Sequence, residues 1–227
     1  MSILSELQTE VASEIGSINA TDDATAINRE LNRGVRDILR RTHCYVESET
    51  FTPGANENYT LDTTVLEVID MYFTNATLSL DRVTVAEIHR LRRAVTGTSS
   101  SQPRRYAWQN PLILFEYAPG ASDTLTVVNV PAPTAMSAAG NDPATATYGG
   151  IPVDYHWLIA RYAMRFLASF DDDASSAQGS RYWEEYMSGI ADMRRELSRK
   201  GGARPMKATL GPVGGRIFPP SDNSTDW

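Results

Sequence analysis

The chain has 227 residues, 41% hydrophobic and 22% charged, which is ordinary for a folded protein with a sizeable core. Its formal net charge of −7 argues against an autonomous nucleic-acid binder, which needs a basic footprint. The single cysteine, Cys44, excludes an intramolecular disulfide or a cysteine-based zinc site, MSILSELQTEVASEI lacks the basic start and apolar run of a secretory signal, and no apolar run approaches the roughly 20 residues that span a bilayer.

Ser2 to Ile18 reads as an amphipathic helix, with Leu4, Leu7, Val11, Ile15 and Ile18 on one stripe and Glu6, Glu10 and Glu14 off it. Asn19 to Asp23 is a break, and Asp22 or Asp23 can cap the next helix. This second helix runs to about Arg41 on an apolar face of Ala24, Ile27, Leu31, Val35 and Ile38. Arg33, Asp37 and Arg41 stand at i,i+4 and can pair along its exposed side. Gly34 costs this helix about 1 kcal/mol relative to Ala, and the close approach of another helix is the reason to keep it.

From Cys44 to about Val130 the pattern turns to β. CYVESETF, ENYTLD, TVLEVIDMYFTN, RRYAW, LILFEY and DTLTVVNV read as short strands. Pro53-Gly54, Asn110-Pro111 and Pro119-Gly120 punctuate them. Thr84-Val85-Ala86-Glu87 is a capping box that opens a short helix ending near Gly97. Residues 131–150 have no period and read as a long surface crossing.

Residues 151–200 predict two long helices folded back on each other. Tyr155, Leu158, Ile159, Tyr162, Phe166 and Phe170 mark one face of the first, with Arg161, Arg165 and Ser169 opposite. Trp183, Tyr186, Ile190, Met193 and Leu197 form a nearly heptad seam on the second. Asp171, Asp172 and Asp173 between them read first as a turn and cap, second as a metal candidate. Residues 201–227 are broken throughout by Gly and Pro and read as an extended arm. The fold class is thus α+β: a helical bundle of N-terminal helices (2–41) and a C-terminal helical hairpin (153–199), with a small antiparallel β-sheet inserted at 44–130. Residues 1–200 make one domain, followed by the arm.

Candidate chemistry is sparse. His43, His89 and His156 are far apart, and neither a calcium loop nor an H-E-x-x-H helix is present. His43 and Cys44 are adjacent, so on a strand they face opposite ways and make a poor nucleophile–base pair; a buried or half-buried thiol fits better. The basic clusters Arg40-Arg41, Arg90 to Arg93 and Arg104-Arg105 read as solvated faces or subunit-interface pairs. No catalytic, cofactor-binding or metal-binding residue is assigned. The arm carries Arg216, Ile217, Phe218, Pro219 and Trp227, apolar or bulky groups that it cannot bury locally. Such a segment can add to a sheet edge or fill a partner's pockets. The alternative is a plain disordered tail.

The succession ATAINRELNRGVRDILRR, CYVESETF, ENYTLD, a β-rich middle, IPVDYHWLIARYAMRFL and YWEEYMSGIADMRREL resembles the head-to-tail adaptor proteins of tailed bacteriophages, also called connector or head-completion proteins. The likeness covers roughly residues 20–200 and rests on the order of elements rather than on a diagnostic motif. It implies a structural virion protein without enzymatic activity or cofactor, assembled in the host cytoplasm. It implies a homo-oligomeric ring, usually a dodecamer, beneath the portal protein at the head–tail interface. Such a ring extends the DNA channel, lets DNA pass its lumen without specific binding, and offers a platform to tail or neck proteins. No membrane is involved. Residues 24–41 and 153–199 would form the ring body, and the arm would reach a partner. A different neck, tail-completion or minor capsid protein is the second reading, and an enzyme with an unrecognised site is the third.

Overall fold

The structure is a computed structural model, which describes residues 3–16, 18–61, 65–74, 79–94, 102–168 and 176–200. Helix α1 spans Leu4–Ile15 and α2 spans Ala24–Thr42. Both bury the stripes read from their sequences: Leu4, Leu7 and Val11 on α1, and Ile27, Leu31, Val35 and Ile38 on α2. One expected cap is absent. Asp23 occupies the N-cap position of α2, but its carboxylate accepts the Asn19 N–H at 2.9 Å, closing the preceding turn instead. Helix α2 ends on His43 in the left-handed conformation, φ 50°.

Among the described residues the chain continues through seven strands: β1 (Glu47–Phe51), β2 (Asn58–Thr60), β3 (Val65–Phe73), β4 (Asp81–Arg82), β5 (Arg105–Gln109), β6 (Leu112–Phe115) and β7 (Leu125–Pro131). Helix α3 (Val85–Ala94) lies between β4 and β5. The strands form two sheets rather than the expected one, ordered β1-β7-β3 and β2-β6-β5-β4. The pairing is antiparallel except for β4 with β5, which is parallel. Period-2 patterns place each strand but not its partner, so the division into two sheets is invisible in the sequence.

The two sheets share a core. Phe51, Val68, Met71, Phe73, Leu125 and Val127 of the first sheet meet Tyr106, Ile113 and Phe115 of the second. The second sheet's other face is covered by α3, where Ile88 packs on Ala107 and Leu114. Alternation thus assigns Ile113 and Phe115 to one side of β6 and Leu114 to the other. Arg92 fastens α3 by donating to the Phe115 carbonyl at 2.9 Å and to the Glu57 carbonyl at 2.7 Å. The Thr84 hydroxyl caps α3 as expected, accepting the Glu87 N–H at 3.2 Å, while the Glu87 carboxylate turns to Arg90.

A second core belongs to the helices. Helix α4 (Trp157–Leu167) follows a 3-10 turn at Val153–Tyr155, and α5 spans Ser176–Lys200. Helix α4 packs against α1, α2 and α5. Surrounded on three sides, it buries Ala160, Ala163, Met164 and Leu167 besides Leu158 and Ile159, and leaves Phe166 exposed. The expected single stripe is too narrow because it assumes one partner. Phe170, Ser169 and the three aspartates lie outside the described residues. On α5 the seam is as expected, with Tyr186, Ile190 and Met193 buried and Trp183 and Leu197 packed beside them; Tyr182 is buried as well.

Two glycines set the helix spacing. A Cβ on Gly34 would meet Tyr162 at 3.2 Å and the Ile159 carbonyl at 3.3 Å, the close approach its place in α2 implied. A Cβ on Gly189 would press into Leu158 and meet the Trp157 ring at 2.7 Å.

Residues 132–150 are a strap rather than a loose crossing. Met136 is buried, and its N–H and carbonyl bond reciprocally with the Asn32 amide at 2.7 and 3.0 Å. The Asn141 and Ala139 carbonyls accept the free N–H groups of Leu4 and Ser5 at the start of α1. Side-chain–backbone bonds of this kind leave no periodic trace. The whole is a mixed α+β structure with small, mainly antiparallel sheets.

Candidate interaction surfaces

Asp37 joins α2 to α5. Its Oδ2 accepts from Tyr186 of α5 at 2.7 Å and from Arg41 at 2.6 Å. Burial, reinforced by the Asp37 carboxylate, pushes the Tyr186 hydroxyl far above its ordinary pKa. Trp183 stacks on Tyr186 with centroids 5.3 Å apart, and Tyr162 meets Tyr186 edge-on at 5.4 Å. The Arg165 guanidinium lies 3.7 Å from the Trp183 ring centre and that of Arg41 lies 5.5 Å from it. Arg194 also donates to the Arg41 carbonyl at 2.6 Å, tying α5 to the end of α2. The expected Arg33–Asp37–Arg41 ladder is therefore half formed: Arg33 turns to Glu30 at 2.8 Å.

Charge is sorted between the outer faces of the first two helices. Arg29, Arg33, Arg36 and Arg40 are all exposed on α2. Their spacings of four, three and four residues put them on one stripe. A single carboxylate oxygen, Glu30 Oε1, serves both Arg29 and Arg33, at 2.9 and 2.8 Å. Among the described residues the other oxygen of Glu30 is buried without a hydrogen-bond partner. Among the described residues Arg36 and Arg40 have no ion pair. Helix α1 is the reverse: Glu6, Glu10 and Glu14 recur every four residues and the helix has no basic residue. Partial burial raises the Glu10 carboxyl pKa against the opposing pull of Arg161. Arg161 of α4 bridges this face to α5, lying 3.9 Å from Glu14 and 3.0 Å from Glu185.

The residues weighed for chemistry stay apart. His43 Nε2 lies 3.2 Å from Glu67, His156 is buried with its Nε2 3.0 Å from the Ile151 carbonyl, and His89 is exposed. Cys44 is half-buried and burial pushes its thiol pKa up. Among the described residues no group of three or more His, Cys, Asp or Glu side chains gathers where a metal ion could be held. The basic clusters mostly tie the chain to itself: Arg90 pairs with Glu87, Arg92 anchors α3, and Arg105 lies 3.9 Å from Glu116. Arg216, Ile217, Phe218, Pro219 and Trp227 lie outside the described residues. The arginine stripe on α2 carries the same periodicity as the apolar stripe, but the adjacent pair Arg40-Arg41 masks it in a reading that looks for clusters.

The helices thus carry aromatic–guanidinium stacks and segregated charge beside the double sheet. The chain belongs to the SU10 adaptor protein family, whose model matches residues 2–209, and so to the bacteriophage head-to-tail adaptors. A comparison with curated proteins finds no match. The family is one of structural adaptors, which implies a place in the virion and contacts with other phage head and tail proteins. Among the described residues no helix is long and apolar enough to cross a membrane.

Proposed function

We propose that copies of this chain assemble into a ring beneath the portal at the head–tail junction, extend the DNA channel and present a platform to tail or neck proteins. The observation that carries this reading is the family match, which runs through all the described elements. Residues 1–200 act as one domain, with the helices as a bundle forming the ring body. The role is assembly without chemistry or cofactor. A ring uses two different faces of each copy, and the oppositely charged α1 and α2 suit that requirement. The segment 201–227 reaches a partner through Arg216, Ile217, Phe218, Pro219 and Trp227.

Two measurements test this. A particle reconstruction should show the chain below the portal in the portal's own copy number; a different number or place would move it to another neck or tail role. Deleting residues 216–227 should leave thermal unfolding nearly unchanged and weaken docking to portal rings. A large loss of stability in the isolated chain would instead assign that segment to the core.

A further inference from the structure

We infer that the arginine stripe of α2 docks on the glutamate face of α1 of a second copy, an inference that rests on the ring reading and names its subunit contact. The basic half is Arg29, Arg33, Arg36 and Arg40, all exposed; Arg29 and Arg33 share one carboxylate, Glu30, and Arg36 and Arg40 have no ion pair among the described residues. The acidic half is Glu6, Glu10 and Glu14; Arg161 approaches Glu14 at 3.9 Å and acts on Glu10, and Arg181 also feels Glu14. Both rows place about one charge per helical turn. At 1.5 Å rise per residue the arginine row is about 16 Å long and the glutamate row about 12 Å, so the carboxylates can meet successive guanidiniums in register. Thr9 and Ser13, short and exposed, lie between the glutamates and leave room for a facing helix.

The net charge of −7 disfavours a DNA backbone as the occupant, and the composition suits a protein interface. The chain has 19 arginines and two lysines. Arginine's planar fork suits bidentate carboxylate recognition, and protein interfaces are enriched in arginine and depleted of lysine. The contact also propagates. A copy that offers α2 to one neighbour keeps its α1 face for another, so the association is head-to-tail and closes into a ring if the rotation per step allows.

The test is sedimentation of the full chain at low ionic strength and high concentration. Arg36→Glu/Arg40→Glu reverses the unpaired arginines. Thr9→Arg/Ser13→Arg adds positive charge to the α1 face without removing a carboxylate. Each variant should melt like the wild type yet self-associate at least about tenfold more weakly, because like charges now face each other. Mixed together, they should associate with wild-type strength, since one intact α2 face then meets one intact α1 face. Raising the salt should weaken the wild-type association. The contact is overturned if either variant assembles like the wild type, if the mixture stays apart, or if the wild type remains monomeric. It is also overturned if Arg36→Glu/Arg40→Glu abolishes only retention of duplex DNA, which would give the stripe to phosphates. The ring reading fails separately, on the copy number in the particle: rings that persist through both variants discard this contact and keep the ring.

Discussion

The helical and sheet regions are held together in different ways. The double sheet is closed by ladders and by a core of Val68, Met71, Phe73, Ile113, Phe115 and Val127, with α3 clamped over its second face by Arg92. The helices are set at close range by Gly34 and Gly189 and joined by the Asp37–Tyr186–Arg41 cluster. Backbone pairing closes the sheets, whereas the helices sit chiefly by side-chain packing and by single bonds such as those of Leu4 and Ser5 to the strap. The helical region therefore combines exacting internal contacts with outer faces sorted by charge.

The largest expected effect tests whether the regions are one unit. Phe115→Ala should cost about 3–5 kcal/mol in chemical denaturation. Because Leu66 and Ile69 of β3 and Val130 of β7 pack against the helical core, the helix signal should fall in the same transition. Two separate transitions would break the comparison into independent domains. Next comes Gly189→Val, which drives a side chain into Trp157 and Leu158 and should cost about 1–3 kcal/mol. A change at an exposed strand position such as Ser48 should be nearly silent beside it. Asp37→Ala removes the acceptor of both Tyr186 and Arg41 and should cost about 1–3 kcal/mol, much of it from the stranded Tyr186 hydroxyl. Tyr186→Phe with Asp37→Ala should cost less than the two separate losses added together.

The smallest effect is a slope with pH. Burial in the sheet core pushes the Tyr106 hydroxyl from its ordinary 10.0 up to about 12. Its contribution is complete below the unfolded value near pH 10. It is lost as pH rises through about 12, because the unfolded phenol releases its proton first. Denaturant titrations across that window should show stability falling, and Tyr106→Phe should flatten the fall. Tyr186 is raised by burial and by Asp37, so the same sign applies in the helical region.

The same contrast explains how much of the molecule is legible in its residues. The apolar stripes of α1, α2 and α5 are legible because one-sided burial writes a period into the chain. Helix α4 is half legible: packed against three neighbours, it buries Ala160, Ala163 and Met164 around the stripe that the large side chains suggest. Six strand segments are visible through their alternation, while two-residue β4 is too short to register, and nothing in a strand names its partner. Gly34 announces a close approach because a glycine inside a helix requires a reason, and Gly189 carries the same signal within α5. The strap at 132–150 reads as surface because its order comes from single amides, Asn32 and Asn141, each bonded to backbone. Arg216, Ile217, Phe218, Pro219 and Trp227, proposed above as partner contacts, lie outside the described residues.

Strand β7 links the two regions mechanically. Its Leu125 and Val127 are locked between the sheets, its Val130 sits among the helices, and six residues later Met136 is stitched to Asn32 in the middle of α2. The sheets thus reach α2 at two places: at its C-terminal end through residues 43–46 to β1, and near its midpoint through the Met136–Asn32 bonds. Separating the two regions would therefore require both attachments of α2 to give way, not one.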